Sequence, residues 1–394
     1  MTFEKIQNKI VLLRCDFNEP IKNNILQSTK RVDANVLTIN ELLARKNKVI
    51  LLSHHSDKNQ TMLPVFNYLQ TIFQNHTSNN IKYINTTNIN SVIEYYKLNG
   101  LRRNSGATAF QNNSDNLFLL ENTRLFFENK GDEKNLDETN DSEFAKFLAS
   151  LGDCFVYDAF SVGHRDHAST TGISKLIPSC FGPTFQKEYS SLKKITDELS
   201  SSVIFMGGAK LSTKLPLIEK FLSGGATVCA GGAMIHPILK SKGEDIKDSY
   251  IEEGVNFDKS ITENKNLVLP VELIWQNENK IVDNLFDFKN INKIIVDKNI
   301  KNMMWNGPVG MYENGSTAGT SALSTFVSSN KKLFTVVGGG DTITFLEEQF
   351  EKDKKSNTDN FEKDFSYVSL SGGAMLEFLS TGTLPILQNI VRFV

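Results

Sequence analysis

The chain has 394 residues, with 43 Lys and Arg against 45 Asp and Glu, which gives a formal net charge of −2. This length suggests about two or three domains, and the near-neutral charge argues against a general nucleic-acid binder. No apolar run approaches the ~18 residues of a membrane span, and the first residues lack the segments of a signal peptide. The four cysteines form no CxxC pair, so we expect a cytoplasmic enzyme.

Short apolar runs recur in the first half of the chain and predict buried parallel strands. They lie at 9–17, 48–54, 117–122 and 154–160. Helix-like stretches lie between them, and the apolar residues of 32–46 recur near a period of 3.6 residues. Alternation of buried strands with amphipathic helices predicts an α/β domain with a parallel sheet.

The same alternation returns in the second half. The predicted strands are 201–208, 226–232, 266–273, 301–307, 333–340 and 365–373. Residues 183–200 separate the halves and read as one helix, with Pro183 in its first turn. We therefore predict an α/β protein of two doubly wound, Rossmann-like parallel-sheet domains, 1–182 and 183–375, joined by this interdomain helix and separated by an open cleft.

Glycines follow five predicted strands of the second half. They stand in the stretches GGAK (207–210), GGA (231–233), WNGP (305–308), GGGD (338–341) and SGGA (371–374). A single glycine pair is more often a simple turn. Ligands bind at the carboxyl ends of strands in open α/β sheets, and glycines there allow close approach to helix N-termini that attract anions. Five such ends therefore predict a phosphate or nucleotide site.

Basic side chains mark the corresponding strand ends of the first half. If those ends converge, Arg31, His54, Arg124 and Arg165 form a cationic pocket, with Asp16 and Asn18 as polar partners. Arginine suits this role because its planar fork binds carboxylate or phosphate through two hydrogen bonds. One such arginine alone is more often a surface residue, but several at matching positions favour an anion site.

Several familiar motifs are absent. The sequence has neither GxGxxG nor GxxxxGK[ST], so a two-domain NAD-dependent dehydrogenase would explain the α/β halves but not the sequence. His164-Arg165-Asp166 copies the start of a protein-kinase catalytic loop, but Thr171 stands where that loop requires Asn. The histidines and cysteines show no zinc-ligand spacing.

The motifs together resemble the phosphoglycerate kinase family over nearly the whole chain. The matching stretches are RCDFNEP (14–20), ILLSHH (50–55), LLENTRLF (119–126), DAFSVGHRDHASTTGI (158–173), GGAKLSTKLPLIEKFL (207–222), WNGPVGMYE (305–313), GGGDT (338–342) and SLSGGAMLEFL (369–379). The resemblance implies reversible phosphoryl transfer between 1,3-bisphosphoglycerate and ADP, giving 3-phosphoglycerate and ATP, with Mg²⁺ as cofactor. It also implies a hinge-bending cytoplasmic monomer that binds these small molecules, with no nucleic-acid or membrane partner, and a C-terminal segment, 376–394, that packs back on the first domain.

The resemblance also assigns roles to individual residues. Phosphoglycerate would be bound by Asp16, Asn18, Arg31, His54, Arg124 and Arg165. The nucleotide would be bound by Gly208, Ala209, Lys210, Lys214, Gly231, Gly232, Asn306, Pro308, Glu313, Gly339, Gly340, Asp341 and Thr342, with Glu313 on the ribose and Asp341 on nucleotide-bound Mg²⁺. The residues expected to act in catalysis are Arg31, Lys210, Lys214, Gly340 and Gly373.

Two departures from the family pattern leave an alternative open. Asp57 stands where the family has an arginine, and Thr213 stands where it has an aspartate. The alternative is a catalytically weakened or non-catalytic homologue that binds nucleotide or a partner protein. Against it, Arg31, Lys210 and Lys214 are all present. Residues 99–117 match the family poorly and are predicted to form a loop.

Overall fold

The computed structural model describes residues 1–76, 80–98, 115–128, 134–352 and 361–390. The chain divides into two compact units: unit 1 comprises Met1–Tyr189 and the residues from Thr383 onward, and unit 2 is Ser190–Gly382. Residues 99–114 of the predicted loop and 391–394 of the predicted C-terminal segment lie outside the described residues. Among the described residues, no helix combines the length and the apolarity that a membrane span requires.

Unit 1 is built on a six-stranded sheet in which every neighbouring pair is parallel, in the order β5-β6-β4-β1-β7-β8. The strands of this unit, including a small hairpin of β2 and β3, are Ile10–Arg14 (β1), Ile21–Lys22 (β2), Ile25–Leu26 (β3), Lys48–Leu52 (β4), Ile81–Ile84 (β5), Leu117–Leu120 (β6), Cys154–Tyr157 (β7) and Ser179–Phe181 (β8). Every residue of β1 and β4 is buried, as expected for central strands that helices cover on both faces.

The helices of this part of the chain follow the strands. They are Lys30–Ala44 (α1), Leu63–His76 (α2), Ile89–Leu98 (α3), Ser142–Ala149 (α4) and Pro183–Asp197 (α5). Helix α4 shows how the sequence sets a boundary, because the Asp141 side chain accepts a hydrogen bond from the amide of Phe144 and so caps the helix. Helix α5 begins at Pro183, as predicted, and the division between the units falls within it.

Unit 2 carries a second six-stranded parallel sheet, in the order β11-β10-β9-β14-β15-β16. Its strands and the hairpin of β12 and β13 are Ser202–Met206 (β9), Thr227–Ala230 (β10), Leu267–Val268 (β11), Glu272–Gln276 (β12), Lys280–Leu285 (β13), Asn302–Asn306 (β14), Phe334–Gly338 (β15) and Tyr367–Ser369 (β16). Its helices are Leu215–Ser223 (α6), His236–Ser241 (α7), Lys259–Glu263 (α8), Phe288–Asp297 (α9), Ala318–Ser329 (α10), Gly340–Lys352 (α11) and Gly373–Thr381 (α12). Two sheets of this kind confirm the predicted α/β class.

One predicted strand is wrong. Residues 266–273 form two separate strands, since β11 ends at Val268 and β12 begins at Glu272 in an antiparallel hairpin. Pro270 lies between them, and a proline has no N–H to donate to a continuing ladder. The chain therefore leaves the parallel sheet at this point.

The last helix of the described chain, Pro385–Ile390 (α13), belongs to unit 1. It contacts β8 and the helical turn Ala168–Gly172. The Ile386 amide donates to the carbonyl of Gly163 over 3.4 Å, and a Cβ on Gly163 would lie 3.0 Å from Leu384 Cδ1. Unit 1 is thus assembled from two stretches of chain that unit 2 separates.

Candidate functional site

The order of the unit 1 sheet brings the predicted basic residues to one edge. Strands β6, β4, β1 and β7 are neighbours and run parallel, so their carboxyl ends lie side by side. His54 follows β4, Asp16 follows β1 and Arg124 follows β6. The segment carrying Arg165 follows β7. These predicted residues therefore lie at the same edge of the sheet.

Arg14, the last residue of β1, lies at the centre of this edge and was not among the predicted site residues. It is fully buried and forms no ion pair within the described part of the chain. Its Nε donates to Ser169 Oγ (3.2 Å), Nη1 to the Cys15 carbonyl (2.6 Å) and Nη2 to His54 Nδ1 (2.8 Å). A buried charge without a counter-ion is costly, and an anionic ligand would compensate it. The position of Arg14 at the end of a predicted strand is the sequence signal that could have identified it as a site residue.

The contact with Arg14 fixes the state of His54. Burial, with Arg14 and Arg124 nearby, holds the pKa of His54 well below its usual value, so the ring is neutral near pH 7. Because Arg14 donates to Nδ1, the ring proton is on Nε2. His54 can therefore offer an anion a neutral N–H donor.

Arg31, in the first turn of α1, is paired with Asp16. Its Nη1 bonds Asp16 Oδ2, which also accepts from Ser161 Oγ (2.6 Å). The Arg31 amide donates to Glu19 Oε1 over 2.6 Å. The Arg31 side chain remains 28% exposed, so the guanidinium is held by Asp16 and still accessible to a ligand.

Arg124 is less exposed and is held by Glu138. Its Nε lies 3.2 Å from Glu138 Oε1, and Lys58 Nζ lies 3.3 Å from Glu138 Oε2. Burial lowers the pKa of Arg124, Glu138 and Asp137 raise it, and the like charges of Arg14 and Arg165 lower it again. A cluster of like charges of this kind favours binding of an anion.

The remaining predicted residues of unit 1 differ in exposure. The Arg165 side chain is exposed and forms no ion pair with any described residue. Asn18 Oδ1 accepts from the amide of Ser56 over 2.8 Å, which ties the loop after β1 to the loop after β4. In that second loop Asp57 is exposed, and its Oδ1 accepts from the Asn59 amide over 2.8 Å, so the carboxylate closes a turn.

In unit 2, the backbones of the loops that follow β9 and β14 lie in close contact at Gly207 and Gly307. A Cβ on Gly207 would lie 2.2 Å from the Pro308 carbonyl oxygen, and one on Gly307 would lie 2.3 Å from the Gly207 oxygen. Gly307 also has φ +95°, a region that favours glycine. Only glycine allows these two backbones to approach so closely.

A cavity of about 470 Å³ lies at the carboxyl edge of this sheet. Eleven residues that line it had been predicted to bind or to act on the nucleotide: Gly208, Ala209, Lys210, Lys214, Asn306, Pro308, Gly339, Gly340, Asp341, Thr342 and Gly373. Helices α11 and α12 begin at Gly340 and Gly373, so their N-terminal amides border the cavity. This is the environment that phosphate groups prefer.

Lys214 supplies a charge to this cavity. Its Nζ bonds Asn306 Oδ1, and Asn306 Nδ2 donates to the Gly338 carbonyl over 2.8 Å. Burial lowers the pKa of Lys214 to about 8, although Asp341 acts in the opposite direction. Lys214 is therefore mostly protonated at pH 7. Thr213, which replaces the acidic residue of the family, donates from Oγ1 to the Lys210 carbonyl over 3.0 Å and so closes the turn between the two lysines.

A second cavity, of about 220 Å³, shares Gly208, Ala209, Pro308 and Asp341 with the first. The predicted ribose residue Glu313 and the predicted Gly232 line it. Gly231 lines neither cavity; a Cβ there would lie 2.7 Å from Val309 Cγ1 and 2.9 Å from Asn284 Oδ1. Gly231 is thus placed for packing beneath the cavity.

The residues at the cavity fit a nucleotide-borne cation but make no protein cage for one. Among the described residues, no cluster of three or more His, Cys, Asp or Glu side chains could hold a metal ion. Asp341 is exposed and borders both cavities. One carboxylate together with substrate phosphates is the usual protein contribution to a Mg²⁺ site.

Comparisons with known proteins agree on one family. The family model described as phosphoglycerate kinase matches residues 2–382. The chain is 32% identical to the phosphoglycerate kinase of Finegoldia magna (96% of this chain, 95% of the relative) and 31% identical to that of Mycoplasma genitalium (98% and 97%). The phosphoglycerate kinase structure from Coxiella burnetii superposes with a TM-score of 0.75 at 26% identity and covers 98% of this chain and 97% of that one.

A second solved structure, phosphoglycerate kinase from Pyrococcus horikoshii, has a TM-score of 0.70 at 22% identity, with coverage of 98% and 96%, and supports the fold. The paired parallel sheets and the matched relatives define an α/β phosphotransferase. The chain belongs to the phosphoglycerate kinase family.

Proposed function

We propose that this chain catalyses the reversible, Mg²⁺-dependent transfer of a phosphoryl group between 1,3-bisphosphoglycerate and ADP, giving 3-phosphoglycerate and ATP. The observation that carries the proposal is the 470 Å³ cavity of unit 2, where Lys210, Lys214 and Asp341 meet the starts of α11 and α12. In the reverse direction, a carboxylate oxygen of 3-phosphoglycerate bonds to the γ-phosphorus of ATP as the bond from that phosphorus to the β-phosphate oxygen breaks. No proton moves, because the nucleophile is already ionised.

Catalysis of this step consists of positioning and charge neutralisation. Arg31 would stabilise the transferring phosphoryl group, and Asp16 would orient the guanidinium through their ion pair. Lys214, protonated near pH 7, and the amides at Gly340 and Gly373 would stabilise phosphate oxygens.

The phosphoglycerate would bind to the cationic edge of unit 1. Its carboxylate and phosphate match the charges of Arg14, Arg124 and Arg165 and the Nε2–H donor of His54. Glu313 would contact the ribose from the smaller cavity. Asp341 would hold Mg²⁺, which, when bound to the nucleotide, neutralises charge on the phosphates.

The proposed function also concerns domain motion, oligomeric state and location in the cell. Direct transfer requires the two bound substrates to meet, so it includes hinge bending between the units, which small-angle scattering with and without both substrates can test. We also propose a monomeric state and a cytoplasmic location. The four cysteines are buried free thiols, which supports the cytoplasmic location. Light scattering and cell fractionation test these two points.

The decisive experiment is a coupled assay for ADP release that depends on both 3-phosphoglycerate and Mg-ATP. Turnover that needs both substrates supports the kinase. The alternative, a non-catalytic homologue that binds nucleotide or a partner protein, rests on Asp57 and Thr213, and it predicts calorimetric ATP binding without turnover.

A further inference from the structure

A buried asparagine lies one turn after Arg31 on helix α1. Asn35 is 1% exposed, and residues four apart on a helix share a face. The Oδ1 atom of Asn35 accepts a hydrogen bond from the amide of Asp16 over 3.1 Å. Since Arg31 bonds the carboxylate of Asp16, this one face of α1 holds Asp16 both by its side chain and by its backbone.

The other end of the Asn35 amide is bonded to Asp158, the first residue after β7. Nδ2 of Asn35 donates to Asp158 Oδ2 over 3.1 Å and to the Asp158 carbonyl over 3.2 Å. The same carboxylate accepts from Thr38 Oγ1 (2.6 Å) and from the amide of Phe185 in the first turn of α5 (2.8 Å). Asp158 is 1% exposed and is held by donors from two helices, so it is a fixed anchor for Asn35.

Asparagine is a costly residue at this position. In the interior of a helix it is less favourable than alanine, and a buried polar side chain costs free energy unless its groups are hydrogen-bonded. Asn35 bonds Asp16 through its oxygen and Asp158 through its nitrogen. An alanine would serve a helix that only needed to pack. Asn35 is therefore better explained by what it holds in place, which is the backbone of Asp16.

We propose that Asn35 is a positioning residue for phosphoglycerate binding, because it fixes the backbone of Asp16 and thereby the ion pair that orients Arg31. Asn35 itself would not touch the substrate. Asp16 Oδ1 also accepts from the amide of Asn18 over 3.3 Å, so a displaced Asp16 would disturb that predicted ligand as well. The inference rests on the proposed function, since it concerns the site at which the phosphoglycerate would bind.

The first test measures binding of 3-phosphoglycerate and of ADP by calorimetry. For Asn35→Ala we expect the Kd for 3-phosphoglycerate to rise about three- to tenfold, the effect of one lost hydrogen bond, while the Kd for ADP stays at the parent value. Thr38→Val is the matched control, because it removes a donor to the same oxygen of Asp158 and leaves the bond from Asp16 to Asn35 intact. An unchanged Kd in Asn35→Ala, or an equal rise in both variants, would overturn the proposal.

Binding and turnover together separate this inference from the proposed function. If the parent protein binds 3-phosphoglycerate but shows no turnover, the kinase activity fails, and the comparison of the two variants still decides the role of Asn35. If the parent protein does not bind 3-phosphoglycerate, the inference fails as well.

Two further measurements separate positioning from a general loss of stability. Asn47 is an equally buried asparagine of unit 1, whose side chain accepts from one backbone amide and donates to two backbone carbonyls. Asn47→Ala should therefore lower the Tm about as much as Asn35→Ala and leave the Kd for 3-phosphoglycerate unchanged; weaker binding in Asn47→Ala would attribute the effect to stability. In the unaltered protein, we expect slow hydrogen exchange of the Asp16 amide by NMR. Exchange at the rate of an unprotected amide would overturn the proposal, even if Asn35→Ala failed to fold.

Discussion

The Nζ atom of Lys58 lies 3.3 Å from Oε2 of Glu138, the carboxylate whose other oxygen lies 3.2 Å from Nε of Arg124. Lys58 and Arg124 are therefore held by one acidic side chain. The Lys58 side chain is 44% exposed and is adjacent in sequence to Asp57, the position where the family has an arginine. The chain thus keeps a positive charge beside this position, one residue later.

Removing this charge should weaken phosphoglycerate binding. For Lys58→Met we expect the KM for 3-phosphoglycerate to rise about two- to fivefold with kcat nearly unchanged, because an exposed pair contributes up to ~1 kcal/mol and the expected range corresponds to ~0.4–1 kcal/mol. Steady-state kinetics at low ionic strength measures the effect. Lys82→Met is the matched control, since Lys82 is a similarly exposed lysine, paired with Asp115, in β5. A KM that stays at the parent value would contradict a role for Lys58 in binding.

Reversing the charge at Asp57 should strengthen binding of the same substrate. For Asp57→Arg we expect the KM for 3-phosphoglycerate to fall roughly ten- to a hundredfold, the range of one charge-assisted hydrogen bond of ~1.5–3 kcal/mol. Asp57→Asn separates loss of the negative charge from gain of a positive one, because asparagine can still accept from the Asn59 amide. Equal KM values for the two variants would show that the arginine makes no bond of its own.

Arg31 should affect turnover far more than nucleotide binding. For Arg31→Ala we expect kcat to fall about 10²- to 10³-fold or more, because a donor to the developing charge is lost, while calorimetric affinity for ADP stays near that of the parent. Arg45→Ala is the control, since Arg45 has a similarly exposed side chain paired with Glu41. A variant that turns over at the parent rate would exclude Arg31 from transition-state stabilisation.

Lys214 should give the reaction a pH limit on the alkaline side. Its pKa is lowered to about 8, mainly by burial, so its positive charge is present at pH 7 and is lost as the pH rises through 8. We expect kcat/KM for the nucleotide to fall above pH 8, since this parameter follows the free enzyme. In Lys214→Arg the guanidinium stays charged, and the fall should disappear. A parent profile that is flat to pH 9.5 would refute the assignment.

Gly340 should tolerate a methyl group structurally but not functionally. A Cβ there would meet no heavy atom within 4 Å, and it would enter the cavity that Gly340 lines. We expect Gly340→Ala to keep the parent Tm while the KM for nucleotide rises by about tenfold, the effect of losing ~1.4 kcal/mol. Gly339→Ala provides the contrast, because Gly339 has φ +104° and its Cβ would lie 2.7 Å from Asn306 Nδ2. We expect Gly339→Ala to lower the Tm and Gly340→Ala to leave it unchanged.

The sequence was most informative where burial dominates. Strands such as β1 and β4 are buried along their whole length, so an unbroken apolar run identified them. The edge strands β5 and β8 were missed, since Ile81–Ile84 includes exposed Lys82 and Ser179–Phe181 has only three residues. The hairpin of β12 and β13 was missed because it lies outside the parallel sheet.

The site residues also divide into those that the sequence predicted and those that it could not. Position after a strand was enough to propose His54 and Arg124, because parallel strands end at one edge. The sequence could not show that Arg14 bonds His54, 40 residues away, or that Glu138 holds both Arg124 and Lys58. Such pairs depend on loops whose paths no local pattern encodes.

Helix α13 has a consequence for how the protein is made. The helix belongs to unit 1 but follows Gly382, the last residue of unit 2. A ribosome therefore completes unit 2 before it produces the segment that donates from the Ile386 amide to the Gly163 carbonyl. During synthesis, the surface of unit 1 around Gly163 therefore stays without its α13 contact until unit 2 has been made. Unit 1 is therefore expected to complete its folding only after unit 2 has been synthesised, although most of unit 1 is synthesised first.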